Sequence, residues 1–241
     1  MQHKITAALL SSYFAALPCP VFAASLQISP VSVEIPASAA AATISLRNEG
    51  AAALSAQVRV FRWTQSNGQE KLEPTSEVVS SPPTVSLAPR AIYALRIVRT
   101  SRSPVVAPEA YRLLIDELPD PNRQKAGAVT LVLRYSVPVF FASIDSGAPK
   151  IDWSVEKRGS RVVVTAKNAG DRQLRLAAMV LRDSQGATVS FGAGLTGYVL
   201  PRSTMQWTAA GRSSGFAPGG SVAISAQSDL GPVNATAPVS K

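Results

Sequence analysis

The chain has 241 residues, of which 46% are hydrophobic and 16% charged, and its formal net charge is +9. The basic residues are scattered without a run of five, and few aromatic residues accompany them, which argues against a nucleic-acid-binding surface. A scattered positive charge instead favours solubility and the attraction of acidic partners.

Residues 1–23 have the pattern of a secretory signal peptide. A short basic start is followed by an apolar stretch over residues 5–17 and by the small-residue cleavage pattern Val21-Phe22-Ala23. An apolar stretch of about thirteen residues is too short to cross a bilayer, so we expect cleavage after Ala23 and no stable membrane insertion.

Cleavage would remove His3 and Cys19, the single histidine and the single cysteine of the chain. A mature protein of roughly 218 residues (241 − 23) would contain neither residue type. This excludes a Cys/His metal site, a cysteine nucleophile and a Ser-His-Asp triad, so we expect no catalytic residues, no metal and no cofactor. The length is sufficient for two domains, each stabilised by its own core rather than by disulfides.

The remaining sequence predicts an all-β protein. Its apolar runs are short, rich in Val, Ile, Leu and Thr, and separated by Gly, Pro, Asn and Ser, and no helical period is sustained. The first set of candidate strands covers residues 26–35, 42–47, 55–63, 71–79, 92–99, 110–118 and 129–141. Seven strands of this kind are typical of an immunoglobulin-like sandwich.

A second set of strands follows residues 145–149, whose composition is typical of an interdomain hinge. These candidate strands cover residues 151–156, 161–167, 174–181, 188–191, 204–208 and 222–226. The sequence therefore predicts two tandem immunoglobulin-like β-sandwich domains, at residues 24–144 and 145–241.

Three short motifs match functional signatures but lack the required context. Residues 192–197 fit G-x-G-x-x-G, yet Pro201 and β-branched residues stand where the phosphate-binding helix would begin. Residues 211–215 fit the G-x-S-x-G of hydrolases, but no histidine would remain to accept the serine proton. Ser154 and Lys157 fit S-x-x-K, but the alternating pattern around them predicts a strand that places them on opposite faces.

The strand predicted at residues 129–141 is unusually long, and Val129, Leu131 and Leu133 share one of its faces. One interpretation is a central strand whose apolar face lies in the core. The other is an edge strand whose apolar side chains enter a groove of another protein while its backbone completes the foreign sheet.

The residues around this strand resemble the PapD-like family of periplasmic pilus assembly chaperones. Residues 89–97 are similar to that family's strand ending in a hydrophobic–Arg–hydrophobic triplet, and residues 109–119 to its sixth strand with an acidic–aliphatic–proline corner. The resemblance extends over essentially the whole mature chain. It implies two domains in a boomerang arrangement, a periplasmic location, and a non-enzymatic chaperone that holds pilus subunits and delivers them to an outer-membrane usher.

In that family the seventh strand is donated to a subunit that lacks its own last strand. The resemblance implies that Val129, Leu131 and Leu133 insert into the subunit and that no ATP is needed. An exposed apolar edge also predicts self-association of the free protein.

The resemblance further implies a buried salt bridge between the domains. The matching positions in this chain are Arg96, Glu109 and Asp229. A planar guanidinium can bridge two carboxylates, so we expect these three residues to fix the interdomain angle.

The chain departs from better-known members at two positions. Those members anchor the subunit's C-terminal carboxylate with an arginine in strand one and a lysine late in strand seven, where this chain has Pro30 and Pro138. The absence of both cations resembles the archaic branch of the family. The candidates for a replacement are Arg112 and Arg134, which antiparallel pairing can bring near one another and near the hinge. Each is alternatively an ordinary strand residue with its head in solvent.

Two other classes of exported β-protein remain as alternatives. A structural pilus subunit or adhesin predicts one incomplete domain with an N-terminal donor extension. A carbohydrate-active enzyme needs paired carboxylates, and Asp116, Glu117 and Asp120 are better explained as solvated loop charges. A sugar-binding module needs an exposed aromatic platform, whereas we expect core packing for the three tryptophans, Trp63, Trp153 and Trp207.

Overall fold

The computed structural model describes residues 26–119, 132–142, 147–209, 216 and 219–240. All regular structure in these ranges is β-strand, and they contain no helix long and apolar enough to cross a membrane. The strands are β1 (Leu26–Ser29), β2 (Val33–Pro36), β3 (Ala41–Asn48), β4 (Leu54–Ser66), β5 (Gln69–Pro74), β6 (Val78–Ser81), β7 (Thr84–Leu87), β8 (Ile92–Arg99), β9 (Glu109–Leu118), β10 (Arg134–Ala142), β11 (Ile151–Arg158), β12 (Arg161–Asn168), β13 (Leu174–Asp183), β14 (Thr188–Ser190), β15 (Leu195–Val199), β16 (Thr204–Thr208), β17 (Ser221–Ser228) and β18 (Gly231–Ser240).

The strands β1 to β10 form a first domain of two sheets. One sheet has the order β1-β3-β8-β6, and the other has the order β2-β10-β9-β4-β5, with β7 also paired to β4. Alternating apolar residues of the two sheets meet in a common core that includes Ile44, Leu95, Leu113 and Phe141. This is the packing of a β-sandwich, in which each sheet buries one face against the other.

The strands β11 to β18 form the second domain. Their order is β14-β13-β17-β18-β11-β12-β16, with β15 also paired to β13. Val155 of β11 and Val239 of β18 lie opposite each other in a parallel pair, and both belong to a second core with Leu176 and Val222. The prediction of an all-β protein with two sandwich domains is confirmed.

The structure divides two predicted strands. Residues 26–35 form β1 and β2, which lie in different sheets, because the chain crosses between the sheets at Pro30, a residue without the N–H that a ladder needs. Residues 71–79 likewise form β5 and β6. The strands β7, β15 and β18 were not predicted; β18 contains Pro232 and Pro238, which obscure its strand pattern.

A buried asparagine organises an equivalent turn in each domain. Asn48 ends β3 and Asn168 ends β12, and both are almost fully buried. In each case Nδ2 donates to the backbone oxygen four positions later at 2.7 Å, and Oδ1 accepts from the N–H two positions later at 2.9 Å. The two domains therefore share a local structure that their sequences do not show by a visible repeat.

Candidate functional site

The strand β10 is paired very unequally on its two sides. On one side it is antiparallel to β9 over residues 134–141. On the other side it is parallel to β2 over four residues, from Val139 to Ala142. Within the part of the chain that the structure describes, Arg134 to Pro138 therefore have one unpaired side, which we call the open edge.

The register shows which backbone groups face the open edge. The N–H of Glu117 donates to the carbonyl of Leu133 at 2.9 Å. Because hydrogen-bonded and non-hydrogen-bonded pairs alternate along an antiparallel ladder, Tyr135 and Val137 also bond to β9, whereas Arg134 and Ser136 direct their N–H and C=O groups outward. Pro138 is the next residue whose backbone faces outward. The N–H that proline lacks would therefore not have bonded to β9.

Three apolar side chains are exposed where β10 begins. Val132, Leu133 and Leu118 are 49%, 38% and 37% exposed. By strand alternation Leu133 shares a face with Val137, which is buried in the first core. The row of apolar side chains that faces the core therefore continues to an exposed leucine immediately before β10. Of the predicted donor residues, Val129 and Leu131 lie outside the described residues.

The face of β9 that points away from the first core carries Arg112. The guanidinium group of Arg112 lies near one aromatic ring from each domain. The guanidinium carbon of Arg112 lies 3.7 Å from the ring centroid of Trp63 and 5.1 Å from that of Tyr198. Its side chain is 12% exposed. Stacking on two π-faces compensates a cation for lost hydration while leaving the edges of the guanidinium free for in-plane hydrogen bonds.

Glu70 is the acidic neighbour of Arg112. Its Oε2 accepts a hydrogen bond from Trp63 Nε1 at 3.0 Å and lies 3.9 Å from Arg112 Nη2, which is too long for a hydrogen bond. Burial lowers the pKa of the Arg112 guanidinium from its ordinary value, against the opposing influence of Glu70 and Tyr198. Arg112 is thus a partly desolvated cation whose nearby carboxylate does not occupy its N–H donors.

The structure does not bring Arg134 close to Arg112. Arg112 lies opposite Pro138, whereas Arg134 lies opposite Asp116, four positions further along β9 or about 13 Å away. Arg134 forms an ion pair with Asp116, which also accepts a hydrogen bond from Arg59 at 2.6 Å.

Asp116 is a paired strand residue rather than the solvated loop charge expected from the sequence. Its side chain is 15% exposed. Burial by itself would raise the pKa of Asp116, but the hydrogen bonds from Arg134 and Arg59 outweigh it and hold the pKa below its usual range. The Asp116 carboxylate is therefore committed to two arginines. Asp120, the third member of the predicted acidic cluster, lies outside the described residues.

The three residues expected to form the interdomain salt bridge do not meet. Glu109 instead accepts two hydrogen bonds from Arg99, at 3.0 Å from Nε and 2.8 Å from Nη2. Arg96 is an exposed residue of β8 opposite Thr43. Asp229 lies in the exposed β17–β18 turn, where its charge influences Tyr198. The reason is position: Arg99 ends β8, at the same end of the sandwich at which Glu109 begins β9.

Polar contacts that the sequence did not reveal join the domains. Glu34 of β2 accepts hydrogen bonds from Arg172 at 3.2 Å and from the buried Gln173 at 2.9 Å. Gln65 of β4 donates to the carbonyl of Tyr198 at 2.8 Å and accepts from the N–H of Leu200 at 2.9 Å. In a strand pattern such residues resemble solvent-facing positions, so no sequence signal distinguished them.

An apolar cluster completes the joint between the domains. Trp63 is buried here rather than in the core of its own domain, and it packs against Phe140 and Tyr198 at ring-centroid distances of 5.9 and 5.4 Å. The full cluster comprises Trp63, Ala110, Phe140, Tyr198 and Leu200. Trp153 and Trp207 pack against the second core, as expected. The described residues include no group of acidic, histidine or cysteine side chains that could hold a metal ion.

The fold and the contacts between the domains define a two-domain β-sandwich protein with an open edge on β10. Comparisons with known proteins specify the class. Residues 25–142 match the family described as pili and flagellar-assembly chaperone, PapD N-terminal domain. This match assigns the first domain of the chain to the PapD-like family of pilus assembly chaperones. No curated protein sequence matches the chain.

Solved structures extend the likeness over both domains. A chain of the CsuC–CsuE chaperone–tip adhesion subunit complex from the archaic Csu pili of Acinetobacter baumannii has a TM-score of 0.68 at 24% identity, covering 90% of this chain and 100% of that chain. The SafA pilin–SafB chaperone structure of Salmonella enterica has a TM-score of 0.60 at 17% identity, covering 90% and 98%. The Pseudomonas aeruginosa CupB2 chaperone has a TM-score of 0.55 at 21% identity, covering 87% and 98%. At these identities the likeness shows a common fold.

Proposed function

We propose that this chain is a periplasmic chaperone that binds pilus subunits by donor-strand complementation and delivers them to an outer-membrane usher. In this proposal residues 1–23 direct export and are removed. The mature protein acts by binding alone, without ATP, a cofactor or catalysis.

The open edge of β10 is the observation that carries the proposal. Arg134 and Ser136 direct backbone donors and acceptors away from β9, and nothing in the described chain pairs with them. A partner strand can form hydrogen bonds with these groups. Leu133 and, by the same alternation, Val129 and Leu131 would then enter the groove of an incomplete subunit.

The energetics suit a reversible complex. Burying three aliphatic side chains contributes about 1.5–3 kcal/mol each before the ordering of both chains is subtracted. A subunit held in this way can be released when a better-fitting strand from another subunit replaces β10. That exchange needs no external energy source.

Arg112 is the preferred anchor for the subunit's C-terminal carboxylate. It lies directly opposite Pro138, the position at which better-known family members carry a lysine. A cation at this place on β9 can therefore substitute for one on β10. Glu70 has a half-exposed side chain and can move aside for an incoming carboxylate. Arg134 is the weaker candidate because Asp116 already neutralises it.

Native mass spectrometry of tagged protein isolated from its own periplasm tests this function. We expect a one-to-one complex with a small secreted β-protein for the wild type and its loss in Leu131→Asp. Ile92→Asp is the matched control, since Ile92 is 63% exposed on β8 in the other sheet. Equal complex abundance in all three proteins would remove the donor role from β10.

A further inference from the structure

The parallel pairing of β2 with β10 ends beside Pro138. The register begins with Val33 opposite Val139, one residue after Pro138. Backbone groups that face β2 recur at every second residue of β10, and Pro138 is the next residue that would bond to β2. If the register continued, Pro138 would lie opposite Ser32 and its N–H would meet the carbonyl of Val31. Proline has no N–H, so the ladder lacks the bond that would extend it.

Val31 lies in a bend between β1 and β2 and is 74% exposed. A longer β2 would use both backbone groups of Val31, the C=O to accept from residue 138 and the N–H to donate to the carbonyl of Ser136. With Pro138 in place, only the second of these bonds can form. A single hydrogen bond contributes little against the cost of ordering a segment, so the bend is favoured over a longer strand.

The strand that precedes this bend is fixed to the other sheet. The N–H of Asn48 donates to the carbonyl of Ala91 at 2.9 Å, so alternate residues of β3 bond to β8 and the residues between them bond to β1. Ser45 belongs to the second group, and Ser29 lies opposite it. The carbonyl of Ser29 therefore bonds to β3 and is not available to the N–H of Ser136 on β10. While β1 remains in its own sheet, it cannot close the open edge.

We infer that Pro138 keeps the open edge of β10 accessible, because it stops the chain's own β2 from extending along that edge. This inference rests on the proposed function and deepens it, since it makes Pro138 a positioning residue that determines the register of subunit binding. A partner strand can bond to the outward groups of Arg134 and Ser136, but it meets no N–H at Pro138. The donor segment therefore ends where the pairing with β2 begins.

Scalar couplings across hydrogen bonds, measured by NMR on the free mature protein, test this role directly. In the wild type we expect no coupling between Val31 and β10 and fast exchange of the Val31 amide. In Pro138→Ala we expect two new couplings, one from the N–H of residue 138 to the carbonyl of Val31 and one from the N–H of Val31 to the carbonyl of Ser136. Exchange of the Val31 amide should slow by about tenfold or more.

The matched control is Pro36→Ala, at the other end of β2. Residue 36 lies opposite Ala142, and by alternation along β2 its N–H would face away from β10. This variant should create no new coupling to β10. The absence of both couplings in a folded Pro138→Ala protein would overturn the inference. A coupling between Val31 and Ser136 in the wild type would also overturn it, and that measurement needs no variant.

The affinity for a purified subunit shows whether this stop matters for binding. Extending β2 would leave only a fraction of the molecules with an open edge, and the apparent affinity falls by that fraction. We expect Pro138→Ala to raise the dissociation constant about tenfold and Pro36→Ala to leave it unchanged. New couplings with an unchanged dissociation constant would overturn the positioning role. A wild-type protein that captures no subunit would count against the proposed function instead, since the NMR result does not depend on a subunit.

Discussion

Glu34 of β2 and Phe140 of β10 lie opposite each other in a parallel pair, and both contact the second domain. Glu34 accepts hydrogen bonds from Arg172 and Gln173, and the Phe140 ring lies 6.1 Å from that of Tyr198. The second domain therefore contacts the place where β2 joins β10. Since the open edge begins where this pairing stops, the joint helps to determine how much of β10 is available to a partner.

Glu34→Ala should loosen this joint. The substitution removes two hydrogen bonds, one of them from the buried Gln173, and we expect a loss of about 1 kcal/mol in the free energy of unfolding. We also expect a wider range of interdomain angles in small-angle X-ray scattering. Glu73→Ala, an exposed acidic residue of β5, is the control. Indistinguishable scattering profiles for the two variants would show that Glu34 does not hold the domains.

Arg112→Ala and Arg134→Ala should separate the two candidate anchors. Arg112 is stacked on Trp63 in the joint, whereas Arg134 is 62% exposed and paired with Asp116. We expect Arg112→Ala to weaken subunit binding by about tenfold or more and Arg134→Ala to change it little. The affinity for a purified subunit, measured by calorimetry, decides between the two candidates. A larger loss of affinity in Arg134→Ala than in Arg112→Ala would identify Arg134 as the anchor.

Glu70→Gln should strengthen carboxylate binding at Arg112. The change removes the negative charge 3.9 Å from Arg112 Nη2 while keeping an oxygen that can accept from Trp63 Nε1. We expect a lower dissociation constant for a purified subunit, measured by calorimetry. A weaker complex would mean that Glu70 supports the ligand rather than competes with it.

The stability of the first domain should depend on the ionisation of Glu109. Burial would raise the pKa of Glu109, but hydrogen bonds from Arg99 and Tyr111 hold it below its ordinary value of 4.5. Because the folded-state pKa is the lower one, the stabilisation is present above pH 4.5 and is lost as the pH falls through the folded-state value. Urea unfolding of Glu109→Gln from pH 3 to pH 7 should lack this part of the acid destabilisation. If the free energies of unfolding of wild type and variant fall in parallel as the pH is lowered, the ionisation of Glu109 does not contribute to the acid destabilisation.

Asn48→Ala and Asn168→Ala should each destabilise one domain. Each asparagine is buried and bonds to the backbone of the turn that follows it, so its removal leaves buried backbone groups unpaired. We expect a loss of about 2 kcal/mol in each case, measured by urea unfolding. Asn234→Ala, an exposed position on β18, should cost much less.

The strands could be predicted from alternation because each sheet buries one face, and β3, β8, β9 and β11 follow that pattern closely. Other features of the fold depend on contacts between residues that are distant in sequence. Gly197 belonged to an apparent nucleotide motif, but it lies in β15, where a Cβ would approach Trp207 Nε1 to 2.9 Å. This glycine is required for close packing, and the sequence alone does not show which neighbour it meets.

The candidate site could be predicted only in part for the same reason. Arg112 was identified by its place on β9, yet its environment depends on Tyr198, which is 86 positions away in sequence (198 − 112) and in the other domain. The interdomain contacts of Glu34 and Gln65 depend on how two separately folded sandwiches dock. No periodicity within one strand carries that information.

The most direct test of the central claim is amide hydrogen exchange by NMR on β10, in the free protein and in its complex with a subunit. In the free protein we predict fast exchange at Arg134 and Ser136, which face the open edge, and slow exchange at Tyr135 and Val137, which bond to β9. Subunit binding should protect Arg134 and Ser136 and leave the other two slow. If Arg134 and Ser136 exchange equally fast in the complex, β10 does not complete the subunit's sheet and the account is contradicted.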